Sequence, residues 1–103
     1  MPPIDVVVSW PAGASGPIVD RDPITIPKGA GATVIRWSCG EGVSRLQITG
    51  LDPEVFSPAS SGMVPNFSTT DANRVPGTYT YSVGATRTSG ARTESDPRIT
   101  NGG

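Results

Sequence analysis

Hydrophobic and polar residues alternate along this chain in short bursts separated by turns. Ile4, Val6, Val8 and Trp10 interleave with Asp5, Val7 and Ser9, the two-residue period of a strand with one face toward a core, and Pro11 ends the run. In the following loop, residues 12–22, only Ile18-Val19 reads as a bridge of strand. Ile24-Thr25-Ile26 is a short strand between Pro23 and Pro27, and two flanking prolines push it to an edge. Residues 33–38 are rich in β-branched side chains, with Ile35 and Trp37 assigned to the core face and Val34 and Arg36 to the other. A turn at residues 39–42 leads into a strand over 43–49, where Leu46 and Ile48 share the core face. Residues 77–83 alternate most strongly, placing Tyr79, Tyr81 and Val83 on one face and three hydroxyls on the other. A Ser89-Gly90 turn then leads to a final strand over 92–100, in which Pro97 marks an edge. Between Leu51 and Asn73 the pattern fails, because Pro53, Pro58, Pro65 and the small residues 59–62 interrupt it. That stretch is expected to be a long crossing between sheets, with a strand over 64–68.

Composition narrows this to one fold class. Thirteen glycines and 11 prolines in 103 residues break the chain too often for long helices. The expectation is an all-β, two-sheet antiparallel Greek-key sandwich of about seven or eight strands, forming a single domain over residues 1–103. Eight basic against nine acidic residues, with no run of like charge, argues against nucleic acid, whose phosphates call for a basic stripe. Val6, Val7 and Val8 are the longest apolar run, far short of the roughly 20 residues of a membrane span. No export signal is visible at Met1-Pro2-Pro3-Ile4-Asp5, so a cytoplasmic protein or the mature part of an exported one is expected. The single Cys39 allows no internal disulfide.

Candidate chemistry is sparse. The chain has no histidine, which removes Ser-His and Cys-His pairs, and no enzyme activity is expected. Cys39 lies near Glu41, a carboxylate that would raise its pKa on approach, and reads as a structural thiol. Asp20 and Asp22 put two carboxylates in one loop with Arg21 between them, short of the six to eight oxygens of a calcium site. Arg87, Arg92 and Arg98 fall near the last two strands; they are candidates for a shallow surface binding an acidic partner, or for charges that keep an edge strand from aggregating.

Ile24-Thr25-Ile26-Pro27-Lys28-Gly29, the strand ending in Trp37, and Gly77-Thr78-Tyr79-Thr80-Tyr81 stand in an order that resembles the cupredoxin pattern over residues 24–90. An immunoglobulin-like or fibronectin-like sandwich is the weaker resemblance. The cupredoxin likeness implies a copper site with ligands at Arg45, Val83 and Thr86 and an axial group among Thr88, Ser89 and Gly90. None of these residues can ligate copper in the family's manner, and Arg45 would repel a cation. The resemblance therefore implies the scaffold without its metal, and no cofactor is expected.

The functional expectation is a noncatalytic binding or structural module on a cupredoxin-like scaffold. The alternative is a divergent relative that handles metal or electrons through other ligands, such as Cys39 with Met63. A protein partner or self-association through an edge strand is expected, and the apolar residues Ile4, Val6 and Val8 mark the first strand as the docking edge.

Overall fold

The computed structural model describes residues 2–103. Eleven strands and no helix are found among them: β1 (Ile4–Ser9), β2 (Ile18–Val19), β3 (Ile24–Ile26), β4 (Thr33–Cys39), β5 (Arg45–Thr49), β6 (Phe56–Ser57), β7 (Asn66–Asp71), β8 (Gly77–Thr80), β9 (Ser82–Thr86), β10 (Arg92–Ser95) and β11 (Arg98–Asn101). One sheet has five strands in the order β2-β1-β4-β7-β6, and two others have three each, β10-β9-β5 and β3-β11-β8.

The two three-stranded sheets are halves of one layer. Thr86 lies opposite Arg92, Val83 opposite Ser95, Thr80 opposite Arg98 and Gly77 opposite Asn101, so a single hairpin keeps its register from end to end. Its ladder is interrupted only where Tyr81 faces Pro97. Proline has no N–H to give, and one bond survives there, from the Tyr81 amide to the Pro97 carbonyl at 3.1 Å. At the tip the Arg87 amide donates to the Ala91 carbonyl and the Gly90 amide to the Arg87 carbonyl, both at 2.8 Å. Gly90, at φ 93°, supplies the left-handed residue that a three-residue hairpin loop requires.

The all-β expectation holds, with two differences in detail. The strand number exceeds seven or eight because Pro97 divides the long hairpin and because β2 and β6 are two-residue pieces at the rims. The pairing is not antiparallel throughout: β1 runs parallel to β4, and β3 parallel to β11. Parallel neighbours need a crossover, and β3 provides one, because the chain passes through the second layer between β1 and β4.

The core lies between the layers. Val6, Val8, Ile35, Leu46, Ile48 and Val83 are wholly buried, and Trp37 and Tyr81 nearly so. Tyr79, expected with them, is only partly buried at the margin. The Trp37 indole N–H donates to the Tyr81 hydroxyl at 3.2 Å. The two rings meet edge-on at 5.5 Å, and Phe67 stacks on Trp37 at 5.8 Å. Burial pushes the Tyr81 phenol up to about 12, against the lowering effect of the Trp37 bond.

Candidate functional site

The first strand is built into the core rather than presented by it. Ile4, Val6 and Val8 are 6%, 0% and 0% exposed, so the side chains that marked β1 as a docking surface are unavailable to a partner. This corrects the expectation drawn from hydropathy: the alternation that looked like an adhesive edge is the inner face of a strand held by β4 along its length. On its other side β2 pairs with Val8 and Ser9. The Val7 amide donates to the Asp20 carboxylate at 2.8 Å, and the Val7 carbonyl accepts from the Asp20 amide. What stays open is the backbone of Asp5, whose carboxylate is held by Arg36 at 2.7 Å. That guanidinium also lowers the Asp5 pKa through its hydrogen bond.

The three candidate arginines are dispersed. Arg87 lies over the Trp10 ring, 3.9 Å from its centroid, and donates to the carbonyls of Trp10 and Pro11, so it clamps the hairpin tip to the end of β1. Arg92 crosses the outer face of its sheet above Gly84, where an added side-chain carbon would strike the guanidinium. It donates to Gln47 on β5 at 2.6 Å and pairs with Glu94 at 3.1 Å. Arg98 sits in the other half of the hairpin, where its backbone N–H donates to Asp22. No common anion surface results.

The positions that the cupredoxin likeness makes into copper ligands do not share a face. Val83 faces the core, opposite Ile48, whereas Arg45 and Thr86 are cross-strand neighbours on the outer face. Asp20 and Asp22 each bond a different backbone amide, those of Val7 and Arg98. Among the described residues no group of three or more His, Cys, Asp or Glu side chains is placed to hold a metal ion. Burial raises the Cys39 pKa; Glu41, the cause expected from sequence, does not contribute.

A groove of about 310 Å³ lies where the irregular segment meets the hairpin, and Asp52, Glu54, Val55, Ala72, Arg74, Val75 and Tyr79 line it. One wall is a turn in which the Glu54 amide donates to the Asp52 carboxylate at 2.9 Å, while the Val55 and Phe56 amides donate to the Asp52 carbonyl. That turn sends Phe56 inward, where its ring meets Tyr79 edge-on at 5.5 Å. The opposite wall follows β7. Asn73 has φ 48°, a left-handed conformation that asparagine tolerates better than most residues, and it turns Arg74 and Val75 outward. Val75 is 64% exposed. Neither Glu54 nor Arg74 has an ion-pair partner among the described residues.

Behind this wall lies a polar centre that the sequence did not signal. Asp71 is fully buried, and Asn73 and Asn101 almost so. The Asp71 Oδ1 accepts from the Asn73 amide at 2.9 Å and from the Asn101 carboxamide at 2.7 Å. Asn73 in turn donates to the Pro27 carbonyl and accepts from the Gly103 amide. Asp71 Oδ2 and Asn101 Oδ1 have no donor among the described residues. Burial raises the Asp71 pKa, an effect only partly offset by the two bonds. No helix is long and apolar enough to cross a membrane among the described residues. No protein-family model matches the sequence, and no curated protein matches it.

Proposed function

We propose that this domain is a noncatalytic binding module, and that its groove takes an extended segment of a protein partner carrying a lysine or arginine. The observation that carries the reading is Val75, 64% exposed beside the half-buried Tyr79 ring, in a groove whose rim charges Glu54 and Arg74 are unpaired among the described residues. A basic side chain matches that lining along its whole length, because its aliphatic stem packs on Val55, Val75 and Tyr79 while its charged end reaches Glu54 and Asp52. A groove of about 310 Å³ is at the small end for ligand sites, which suits one or two side chains of a peptide.

Titrating labelled protein with extended lysine- and arginine-containing peptides, and with acidic peptides as controls, tests the reading by chemical-shift mapping. Basic peptides are expected to shift residues 52–55 and 72–79, with Glu54→Lys and Val75→Ser each weakening the response. Both residues are exposed at the rim, so these variants keep the fold. Absence of shifts at millimolar peptide, or shifts confined to the acidic peptides, overturns it.

A further inference from the structure

A second surface, independent of the groove, lies on the hairpin. The odd-numbered residues of β10 and β11 turn their backbone groups toward β9 and β8, as shown by Ala91 accepting from Arg87 and Pro97 accepting from Tyr81. The even-numbered residues therefore turn theirs to the outer edge. Along that edge the Arg98 amide donates to Asp22 at 3.1 Å, Thr100 pairs with Thr25 on β3, and the Gly102 amide donates to the Ile26 carbonyl at 2.8 Å. The cover stops before β10. Arg92 and Glu94 keep their outward N–H and C=O groups without a protein partner among the described residues.

The other rims are covered, very short or without charged side chains to fix a register: β8 is also an edge strand, and its outward-turned Thr78 and Thr80 carry only hydroxyls. The outer edge of β5 is covered by reciprocal bonds between Leu46 and Val64 at 2.8 Å and by the Ser61 amide on Ile48. β2 and β6 have two residues each, and β3 is bounded by prolines. An unpaired strand is a template for another strand.

The open edge is complementary to itself. A second β10 laid antiparallel, with Thr93 on the two-fold axis, sets Arg92 opposite the partner's Glu94 and Glu94 opposite the partner's Arg92. Those are the two residues whose backbone groups point outward, so both positions form hydrogen-bonded pairs. Their side chains share the outer face of the sheet, where directly opposed unlike charges attract. Arg92 has donors to spare: Nη2 makes the bonds to Gln47 and Glu94, while Nε and Nη1 make none among the described residues. The two Thr93 side chains fall on the inner face.

From this geometry we propose that two copies of the chain associate through β10, continuing the sheet across a two-fold axis with reciprocal Arg92–Glu94 pairs. The strand is short, and the dimer is accordingly weak and concentration-dependent.

Charge reversal tests the register. The wild type is expected to show a concentration-dependent dimer by sedimentation equilibrium. Glu94→Arg alone, or Arg92→Glu alone, puts like charges opposite one another and raises the dissociation constant roughly tenfold or more. The double reversal Arg92→Glu with Glu94→Arg restores the pairs and brings the constant back toward wild type. Amide exchange gives a second readout that mutation cannot confuse. Protection of the Arg92 and Glu94 amides should rise with protein concentration, while that of Thr93 and Ser95, already bonded to β9, stays constant. A wild type that is monomeric at millimolar concentration with those amides unprotected overturns the proposal, as does a double reversal that behaves like the single ones.

Discussion

β1 and β10 invert the usual reading of an adhesive edge. β1 is apolar at every second position, and β10 is Arg-Thr-Glu-Ser. Hydropathy points to β1 as the strand that meets a partner, yet its apolar side chains are core and its flanks are mostly covered by β4 and β2. β10 has nothing apolar to offer, yet its backbone is left open. Whether a strand can accept another is decided by which backbone groups lack partners, a property of the sheet and not of the strand's own sequence. Side chains then decide which partner is tolerated, and on β10 they favour one of opposite charge.

The strongest way to break this contrast is to strike the core face of the strand beside β1. Trp37, paired in register with Val6, is expected to cost about 3–5 kcal/mol on truncation to alanine in a denaturant melt. A loss below about 1 kcal/mol would move the ring out of the core and return the apolar face of β1 to the list of contact surfaces. Next comes Val6→Ala, expected to cost roughly 2 kcal/mol from two lost methyl groups and the void they leave. Arg92→Ala on the exposed β10 should change stability by less than about 0.5 kcal/mol while weakening association. Comparable stability losses at the two sites would erase the distinction between them.

Polar groups without a partner among the described residues also occur inside the molecule, at Asp71 Oδ2 and Asn101 Oδ1, where they are shielded from solvent. Asp71→Asn supplies an amide donor for Asn101 Oδ1 while keeping an oxygen for the two existing bonds. At neutral pH it should stabilise the fold by about 1 kcal/mol. The pH dependence has a defined sign, because the folded Asp71 pKa lies above its ordinary value of 3.8. Stability linked to the protonated carboxyl is fully present below 3.8 and is lost as pH rises through the folded pKa. The advantage of the asparagine should therefore grow as pH rises from 3.8 through the folded pKa, level off above it and vanish below 3.8. An advantage that shrinks as pH rises would show that the folded carboxyl prefers its charge.

The smallest expected effect is none at all. Installing Arg45→His, Val83→Cys and Thr86→His together should leave the protein colourless with Cu(II), because the thiol would lie inside the sandwich and both imidazoles outside. An intense visible thiolate-to-copper band would mean that β9 does not separate those faces.

Much of the sandwich was legible in the chain because its core strands obey the period-two rule. Ile24–Ile26, the Ile35/Trp37 face and the Leu46/Ile48 face occur as expected, as does the bridge at Ile18–Val19. β7 was legible only in its first half, within the strand expected over 64–68, because its later inward positions Thr69 and Asp71 read as surface residues. The same polarity concealed the Asp71–Asn101 centre, which depends on the ends of β7 and β11 meeting. The groove was equally hidden, because its walls come from a proline-interrupted segment and a left-handed turn, neither with a hydrophobic period. The candidate arginines form no common surface, and their neighbours Trp10, Gln47 and Gly84 are not signalled by the sequence around each arginine, because only the fold brings them together.

The unbroken register through Pro97 also shapes how the chain can reach this state. Closing the hairpin at Gly90 brings together residues only a few positions apart in the chain, and each further pair adds little loop entropy. The same strands run from the half of the layer that holds β5 to the half that holds β3. Joining Ile4 to Ile35, or Ile24 to Ile99, closes far larger loops, and contacts of that kind slow folding. The hairpin is thus the natural early template, and the parallel pairings at β1 and β3 are its late additions. A proline that halves the ladder without shifting it lets one local nucleus seed both ends of the second layer.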